Sequence, residues 1–255
     1  MINNSQVLFD EIQDKLRITV EQHSNLRTLH FNNSFIQTQI DLNHPDRLPI
    51  KANQMMLSHL MFGYDPEKIL LAGCGGGAIA RWFHAQRPSA QGIAIDNNET
   101  VLKLAKQYFE FPQTNWQLIN TDMRDYLQHT TQQFDFILFD FEENETTPHW
   151  LVSEHFLHQV RNCLTDKGAA TFNIVVEKKS DLVKALTPMR QVFNNMTYCL
   201  SSQGYHNVMI TGFKNYLPVK DLKVTARYAT ATFGINFMAQ LKQLLKENPL
   251  GSGAI

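Results

Sequence analysis

From Lys68 onward, short apolar runs alternate with amphipathic stretches at a regular pitch. Ile69-Leu70-Leu71-Ala72 reads as a buried strand running into glycines, and Ala78 to Gln86 as a helix. Gly92-Ile93-Ala94-Ile95 predicts a second strand ending at Asp96, followed by a helix from Val101 to Phe109. Trp116-Gln117-Leu118-Ile119 predicts a third strand ending near Asp122, and Phe134 to Phe139 a fourth ending at Asp140. A fifth spans Ala169 to Val175, after a helix around 151–164 closed by Asp166-Lys167-Gly168. Two late strands, near 196–201 and 206–213, are joined by Gln203-Gly204-Tyr205, too short for a parallel crossover, so that pair is antiparallel. Residues 219 to 247 read as helical. Strands and helices alternating in this way predict a mostly parallel sheet covered on both faces.

The first fifty residues follow another rhythm. Arg17 to Glu21 and Leu26 to Phe31 alternate loosely, and Phe35 to Ile40 more clearly, with turn residues Ser24-Asn25 and Asn32-Asn33-Ser34 between them. This predicts a small antiparallel β unit over residues 1–50, and a larger α/β domain over 51–255 that opens with a helix at about 51–62. The punctuation between them is His44-Pro45-Asp46-Arg47-Leu48-Pro49.

Composition narrows the partners. The chain has 255 residues, 43% of them hydrophobic, enough for one large core with a small appendage. A net charge of −1 gives no bulk attraction to nucleic acid or to an anionic membrane, so neither is expected as a partner. The ten histidines are scattered without metal-site spacing, and no metal is expected. Cys74, Cys163 and Cys199 form no C-x-x-C, a sparse and odd set that fits a reducing compartment. The amino terminus lacks a basic and apolar leader pattern, and no run approaches 18 apolar residues, so a soluble cytoplasmic protein is expected.

The candidate chemistry lies at the strand ends. Gly73-Cys74-Gly75-Gly76-Gly77 follows the first strand of the sheet and opens a helix, where open α/β sheets bind ligands. Glycines there permit tight turns and a close approach of ligand to backbone. Asp96 ends the next strand, where a carboxylate can accept two hydrogen bonds from a ribose diol. Asp122, with Met123 beside it, ends the third, where a carboxylate can accept from an adenine amino group. Each acid taken alone fits a helix cap or a solvated turn as well. Three successive strand ends with matching chemistry point to a nucleoside. Gly73-x-Gly75-x-x-Ala78 also satisfies the dinucleotide fingerprint. The acidic series continued by Asp140 would repel a pyrophosphate and attract a sulfonium or an amine, which disfavours NAD. The antiparallel final strand pair likewise suits a Rossmann-like class I methyltransferase fold, a sheet of seven strands.

The ordered set resembles the spermidine synthase (polyamine aminopropyltransferase) superfamily, especially its shorter, divergent bacterial members. The resemblance runs from about Arg27 to Phe213. Its pieces are Phe35-Ile36-Gln37, the helix Asn53 to Leu60, the glycine loop, and Asp96 with Ala105 to Phe109. Asp122 to Leu127 and Phe134 to Asp140 follow, and Pro148-His149-Trp150-Leu151 with Ser153 and Phe156 is the most specific match. The resemblance implies decarboxylated S-adenosylmethionine (AdoMet) or AdoMet as co-substrate, a polyamine or other small acceptor, and a homodimer in which the N-terminal strands are a contact. It implies that Gln37 and Asp96 lie near the ribose, Asp122 and Met123 at the adenine, and Asp140 near the sulfonium, with Gly73, Gly75 and Gly77 shaping the loop. The family's catalytic acid falls at Glu143, which with Asp140 makes up the catalytic pair. A carboxylate there takes a proton from the attacking amine.

Several positions depart from the family. Gly76 stands where the loop usually carries an Asp for the aminopropyl amine, Asn53 where a Tyr frames the acceptor, and Met55 in place of an acid. An uncharged loop does not reject a carboxylate, which brings intact AdoMet into range. Aminopropyl transfer is the default expectation. An AdoMet-dependent methyltransferase and a non-catalytic nucleoside-binding protein of the same fold are its alternatives.

Overall fold

The structure, a computed structural model, describes residues 5–32, 36–141, 146–201, 206–215 and 221–248. Strands β1 (Ser5–Gln13), β2 (Leu16–His23), β3 (Leu26–Phe31) and β4 (Ile36–Asp41) form an antiparallel sheet in that order. β1 was not legible in the sequence. It is an edge strand with a register shift between Val7 and Phe9, and Val7 and Ile12 remain exposed, so no apolar alternation marks it. Next come α1 (Lys51–Met56) and a 3₁₀ turn over Ser58–Phe62, so the single helix expected over 51–62 changes pitch at Leu57.

The remaining elements build the larger layer. The strands are β5 (Lys68–Ala72), β6 (Gln91–Asp96), β7 (Trp116–Asn120), β8 (Phe134–Phe139), β9 (Leu164–Val175), β10 (Thr197–Ser201) and β11 (Asn207–Phe213). The helices are α2 (Ala78–Gln86), α3 (Glu99–Tyr108), α4 (Met123–His129), α5 (Glu154–Asn162), α6 (Lys179–Val192), α7 (Leu222–Phe233) and α8 (Phe237–Glu247). The seven strands lie in the order β10-β11-β9-β8-β5-β6-β7. β5 to β9 run parallel, and β11 is antiparallel to both β9 and β10. This is the Rossmann-like, mostly parallel sheet that the alternation predicts, with its antiparallel pair at one edge.

Alternate residues of the central strands enter two different cores, as a two-residue side-chain period requires. Ile69, Leu71, Phe136 and Leu138 pack with Met55, Trp82, Phe83, Phe233 and Leu241. Leu70, Ala72, Ile137 and Phe139 pack with Phe156, Leu157, Met189 and Val192. A third core joins the small sheet to α3, through Ile18, Val20, Leu29 and Ile40 against Val101, Leu104 and Phe109. Polar contacts follow the same seam: Arg27 Nη1 donates to the Tyr108 carbonyl at 2.7 Å, and Gln13 Nε2 to Thr100 Oγ1 at 2.8 Å.

Three further boundaries differ from expectation. The helix expected at 151–164 is a 3₁₀ turn over His149–Val152 and then α5, which Ser153 caps through a hydrogen bond from the Phe156 N–H. Asp166-Lys167-Gly168 is not its stop but lies inside β9, at an irregularity: Leu164 pairs with Phe134, and Ala169 with Phe136. Residues 219 to 247 hold two helices, because Gly234 ends α7 in the left-handed region at φ +68°.

Candidate functional site

Where the parallel strands end, the chain leaves β5 for α2 on one side and β8 for its own loop on the other, and β5 lies between β6 and β8. Crevices at such a reversal of strand order are where open α/β sheets hold ligands. A cavity of about 350 Å³ opens there, lined by Gln37, Thr38, Asn53, Gly73, Cys74, Gly75, Asp96 and Asp140, among others. Its size falls at the low end of the roughly 300–1,000 Å³ usual for small-molecule sites. A wider, open cleft of about 1180 Å³ lies along the amino ends of the strands, at Lys68, Gln91, Trp116 and Phe134, and no carboxylate lines it. The glycine loop and the strand-end carboxylates Asp96 and Asp140 are therefore gathered in the smaller cavity.

The glycine loop is shaped by two close approaches. At Gly73 φ is +87°, and a β-carbon would stand 2.2 Å from the Asp140 carbonyl oxygen. Only glycine lets β5 and β8 turn away side by side here. At Gly76 a β-carbon would meet Thr38 Cγ2 at 2.5 Å and Phe109 Cγ at 2.9 Å. At Gly75 it would meet Thr38 Oγ1 at 2.9 Å. Neither position has room for an acidic side chain while Thr38 fills that space. Gly77 is the N-cap of α2, backs onto Phe111, and lies outside the cavity lining.

Every N–H of this loop is already used. Gly73 donates to the Ile95 carbonyl at 3.0 Å and Gly77 to the Cys74 carbonyl at 2.8 Å. Cys74 donates to Asp96 Oδ2 at 3.1 Å, Gly75 also to Asp96, and Gly76 to Thr38 Oγ1 at 2.7 Å. A phosphate-binding loop needs such donors free. The dinucleotide fingerprint of the sequence is thus a formal match without the phosphate cradle it stands for.

Asp96 has a double position. Besides the loop it accepts the Asn98 N–H at 3.0 Å, and it lines the cavity. Burial raises its carboxyl above the usual range, while the backbone donors of Asn98, Cys74 and Gly75 oppose the shift. Burial, and then the Asp96 charge, push the Cys74 thiol well above its ordinary value, so it stays protonated and inert.

Asp140 follows β8 directly. Its carboxylate is closely surrounded by protein yet reaches solvent through the cavity mouth. Desolvation raises its pKa, against the lowering by Asn173, whose Nδ2 donates to Asp140 Oδ1 at 2.8 Å. Asn173 was not singled out in the sequence, where a lone Asn within an apolar strand carries no motif. Thr38 was missed for the same reason. Asn53 is buried at 8% exposure and lines the cavity, beside Met56.

Two further expected positions stand apart from the cavity. Asp122 caps α4, accepting the Arg124 N–H at 2.7 Å, and its carboxylate is also bound by the Arg124 guanidinium at 2.5 Å. That guanidinium holds its pKa below the usual range and stacks over Trp150 at 5.1 Å. Met123 is buried in the core. Gln37, Gly73, Gly75, Asp96 and Asp140 are brought together; Glu143 lies outside the described residues. Among the described residues no group of His, Cys, Asp or Glu could hold a metal ion, and no helix is long and apolar enough to cross a membrane.

The chain is similar to known proteins over nearly its whole length. A polyamine aminopropyltransferase of Neisseria meningitidis is 26% identical over 238 residues, covering 91% of this chain and 90% of that one. A probable spermidine synthase from Corynebacterium glutamicum superposes with a TM-score of 0.76 at 16% identity, over 89% of this chain and 86% of the other. Human methyltransferase-like protein 13, solved in complex with SAH, superposes with a TM-score of 0.60 at 21% identity, over 73% and 89%. The Methyltransferase small domain model matches residues 49–209. With that match spanning the glycine loop and both cavity carboxylates, the chain belongs to the methyltransferase small domain family, in a divergent, spermidine-synthase-like branch.

Proposed function

We propose that the chain is a transferase that binds an AdoMet-type nucleoside in the 350 Å³ cavity and passes a group from its sulfonium to a small amine. The observation that carries this reading is that Asp96 and Asp140 share one cavity with a glycine loop whose N–H groups are all engaged. That site suits a cationic nucleoside and lacks donors for a phosphate. In this reading Asp96 and Gln37 bind the ribose, Gly73 and Gly75 let the ligand approach the backbone, and Asp140 faces the sulfonium. The adenine extends past that cavity lining, beyond the end of β7, toward Asp122 and Met123.

The first reaction is aminopropyl transfer from decarboxylated AdoMet to a polyamine, supported by the aminopropyltransferase relative that matches 91% of the chain. The neutral amine nitrogen attacks the propyl carbon on sulfur, the carbon–sulfur bond breaks, and methylthioadenosine leaves as a neutral thioether. The proton released by the new ammonium passes to a carboxylate, with Glu143 and Asp140 as the candidates. A second reading, methyl transfer from intact AdoMet, is favoured by one observation: the loop has no room for an acid at Gly75 or Gly76 that would repel the AdoMet carboxylate.

Calorimetric titration with AdoMet, decarboxylated AdoMet and methylthioadenosine tests the reading. Preference for the decarboxylated form, followed by turnover with putrescine, supports aminopropyl transfer. Equal or tighter binding of AdoMet shifts the reaction to methyl transfer, and no binding of any of them overturns the proposal.

A further inference from the structure

The antiparallel edge of the sheet brings a residue to the site that parallel topology would not. β9 runs parallel to β8, with Phe172 level with Phe139, so Asn173 emerges beside Asp140 at the carboxyl ends of both strands. β11 runs the other way, so its first residue, Asn207, arrives at that same edge, opposite Val175. The Asn207 Nδ2 donates to Asn173 Oδ1 at 2.9 Å, and Asn173 Nδ2 donates to Asp140 Oδ1 at 2.8 Å. Asn173 is 5% exposed, Asn207 half-buried, and Asp140 open to the cavity.

The order of donors and acceptors in this row is directional. An ionised carboxylate only accepts, so the Asn173 amide must turn its NH₂ toward Asp140. Its carbonyl then needs a donor, and Asn207 supplies one. The two amide dipoles line up head to tail and end on the carboxylate, and hydrogen bonds aligned in this way polarise one another. The second carboxylate oxygen has no donor among the described residues and is left for whatever enters the cavity.

We infer that Asn173, braced by Asn207, is a positioning residue that aims the Asp140 carboxylate into the cavity and thereby makes the site select cationic sulfonium nucleosides over their neutral thioether counterparts. This rests on the nucleoside reading above and deepens it. It assigns to β9 and β11 the discrimination between donor and spent product, which differ by one positive charge at sulfur. The ribose and base contacts would be common to both ligands and would not discriminate.

The test compares AdoMet with S-adenosylhomocysteine, and decarboxylated AdoMet with methylthioadenosine, by calorimetry on wild type, Asn173→Leu and Asn207→Ala. Asn173→Leu should lower sulfonium affinity about tenfold and leave thioether affinity within about twofold. Asn207→Ala, at a half-buried position one residue further from the carboxylate, should move the ratio in the same direction by about threefold. It serves as the test if Asn173→Leu does not fold. Equal loss for both members of a pair, or an unchanged ratio in both variants, means a purely structural role and overturns this inference while the nucleoside reading stands. Absence of binding by the wild type overturns both.

Discussion

Thr38 and Gly76 meet across the seam between the two sheets: the Gly76 N–H donates to Thr38 Oγ1 at 2.7 Å, and Thr38 is only 2% exposed. One hydroxyl thus ties the last strand of the small sheet to the middle of the glycine loop. Thr38→Val keeps the shape and removes the acceptor, leaving a buried N–H without a partner at a cost of about 1–3 kcal/mol. Thermal unfolding should show the loss directly, and nucleoside affinity should fall with it.

The same contact explains the missing acid of the loop. Gly76→Asp would put a β-carbon within 2.5 Å of Thr38 Cγ2 and 2.9 Å of Phe109. Overpacking of this kind costs about 1–3 kcal/mol. The variant should therefore melt earlier without gaining preference for decarboxylated AdoMet. The double variant Gly76→Asp with Thr38→Ala should recover part of the melting temperature, since the nearest obstruction is then gone.

Asp96→Ala removes the proposed ribose acceptor and the anchor for the Cys74 and Gly75 N–H groups together. Nucleoside affinity should fall at least tenfold, about 1.4 kcal/mol. Unchanged binding in calorimetry would move the site elsewhere. Because Asp96 also holds the loop, Asp96→Asn is expected to lose less stability than the Ala variant, and comparison of the two separates scaffold from ligand contact.

Desolvation by the protein around the cavity raises the Asp140 carboxyl above its ordinary value, with the Asn173 hydrogen bond opposing. Once protonated, it no longer attracts a cation, so sulfonium affinity should fall as pH falls, beginning above the ordinary carboxylate range. Asp96 is raised too, but its protonation touches donor and product alike. The ratio of AdoMet to S-adenosylhomocysteine affinity, followed from about pH 8 to about pH 5, therefore isolates Asp140. Asp140→Asn should flatten that ratio across the whole range.

His59 is fully buried, stacked on Phe136 with centroids 3.4 Å apart, and neither ring nitrogen has a hydrogen-bond partner. Desolvation holds its pKa well below 6.5, only partly offset by the nearby Met56 carbonyl, so it is neutral in the folded chain. The unfolded chain takes up a proton below 6.5 while the folded chain does not, so stability falls as pH drops through that value. His59→Leu should be close to neutral or stabilising at pH about 7, because it removes an unsatisfied polar group. Its unfolding midpoint should also depend less on pH between about 7 and about 5. A large destabilisation at neutral pH would mean that the ring is needed for more than packing.

Much of the fold is legible in the sequence alone. The strands ending at Asp96 and at the residue before Asp140, and the antiparallel pair after Val175, follow from apolar runs that a sheet buried on both faces requires. What resisted reading had weak or shared signals. β1 is an exposed edge, α6 follows Lys178, whose side chain has no oxygen to cap a helix, and carries an internal proline, and Asp166-Lys167-Gly168 looks like a helix stop while serving as a strand irregularity. Asp122 shows the limit for single site residues: the sequence allowed an adenine contact and a helix cap equally, and the structure adds the Arg124 ion pair to the cap.

By itself, then, the order of residues determined the alternation of strands and helices, the glycine loop after β5, and the placing of Asp96 and Asp140 at strand ends, because these depend on local periodicity and on chain direction. Only the tertiary structure decided which partners those groups meet. Thr38 comes from 38 residues away to take the Gly76 N–H; Asn173, 33 residues beyond Asp140, comes to its carboxylate, and Asn207, 67 residues beyond, comes to Asn173. Such contacts are set by strand order and register across the sheet, and no local pattern in the chain encodes them.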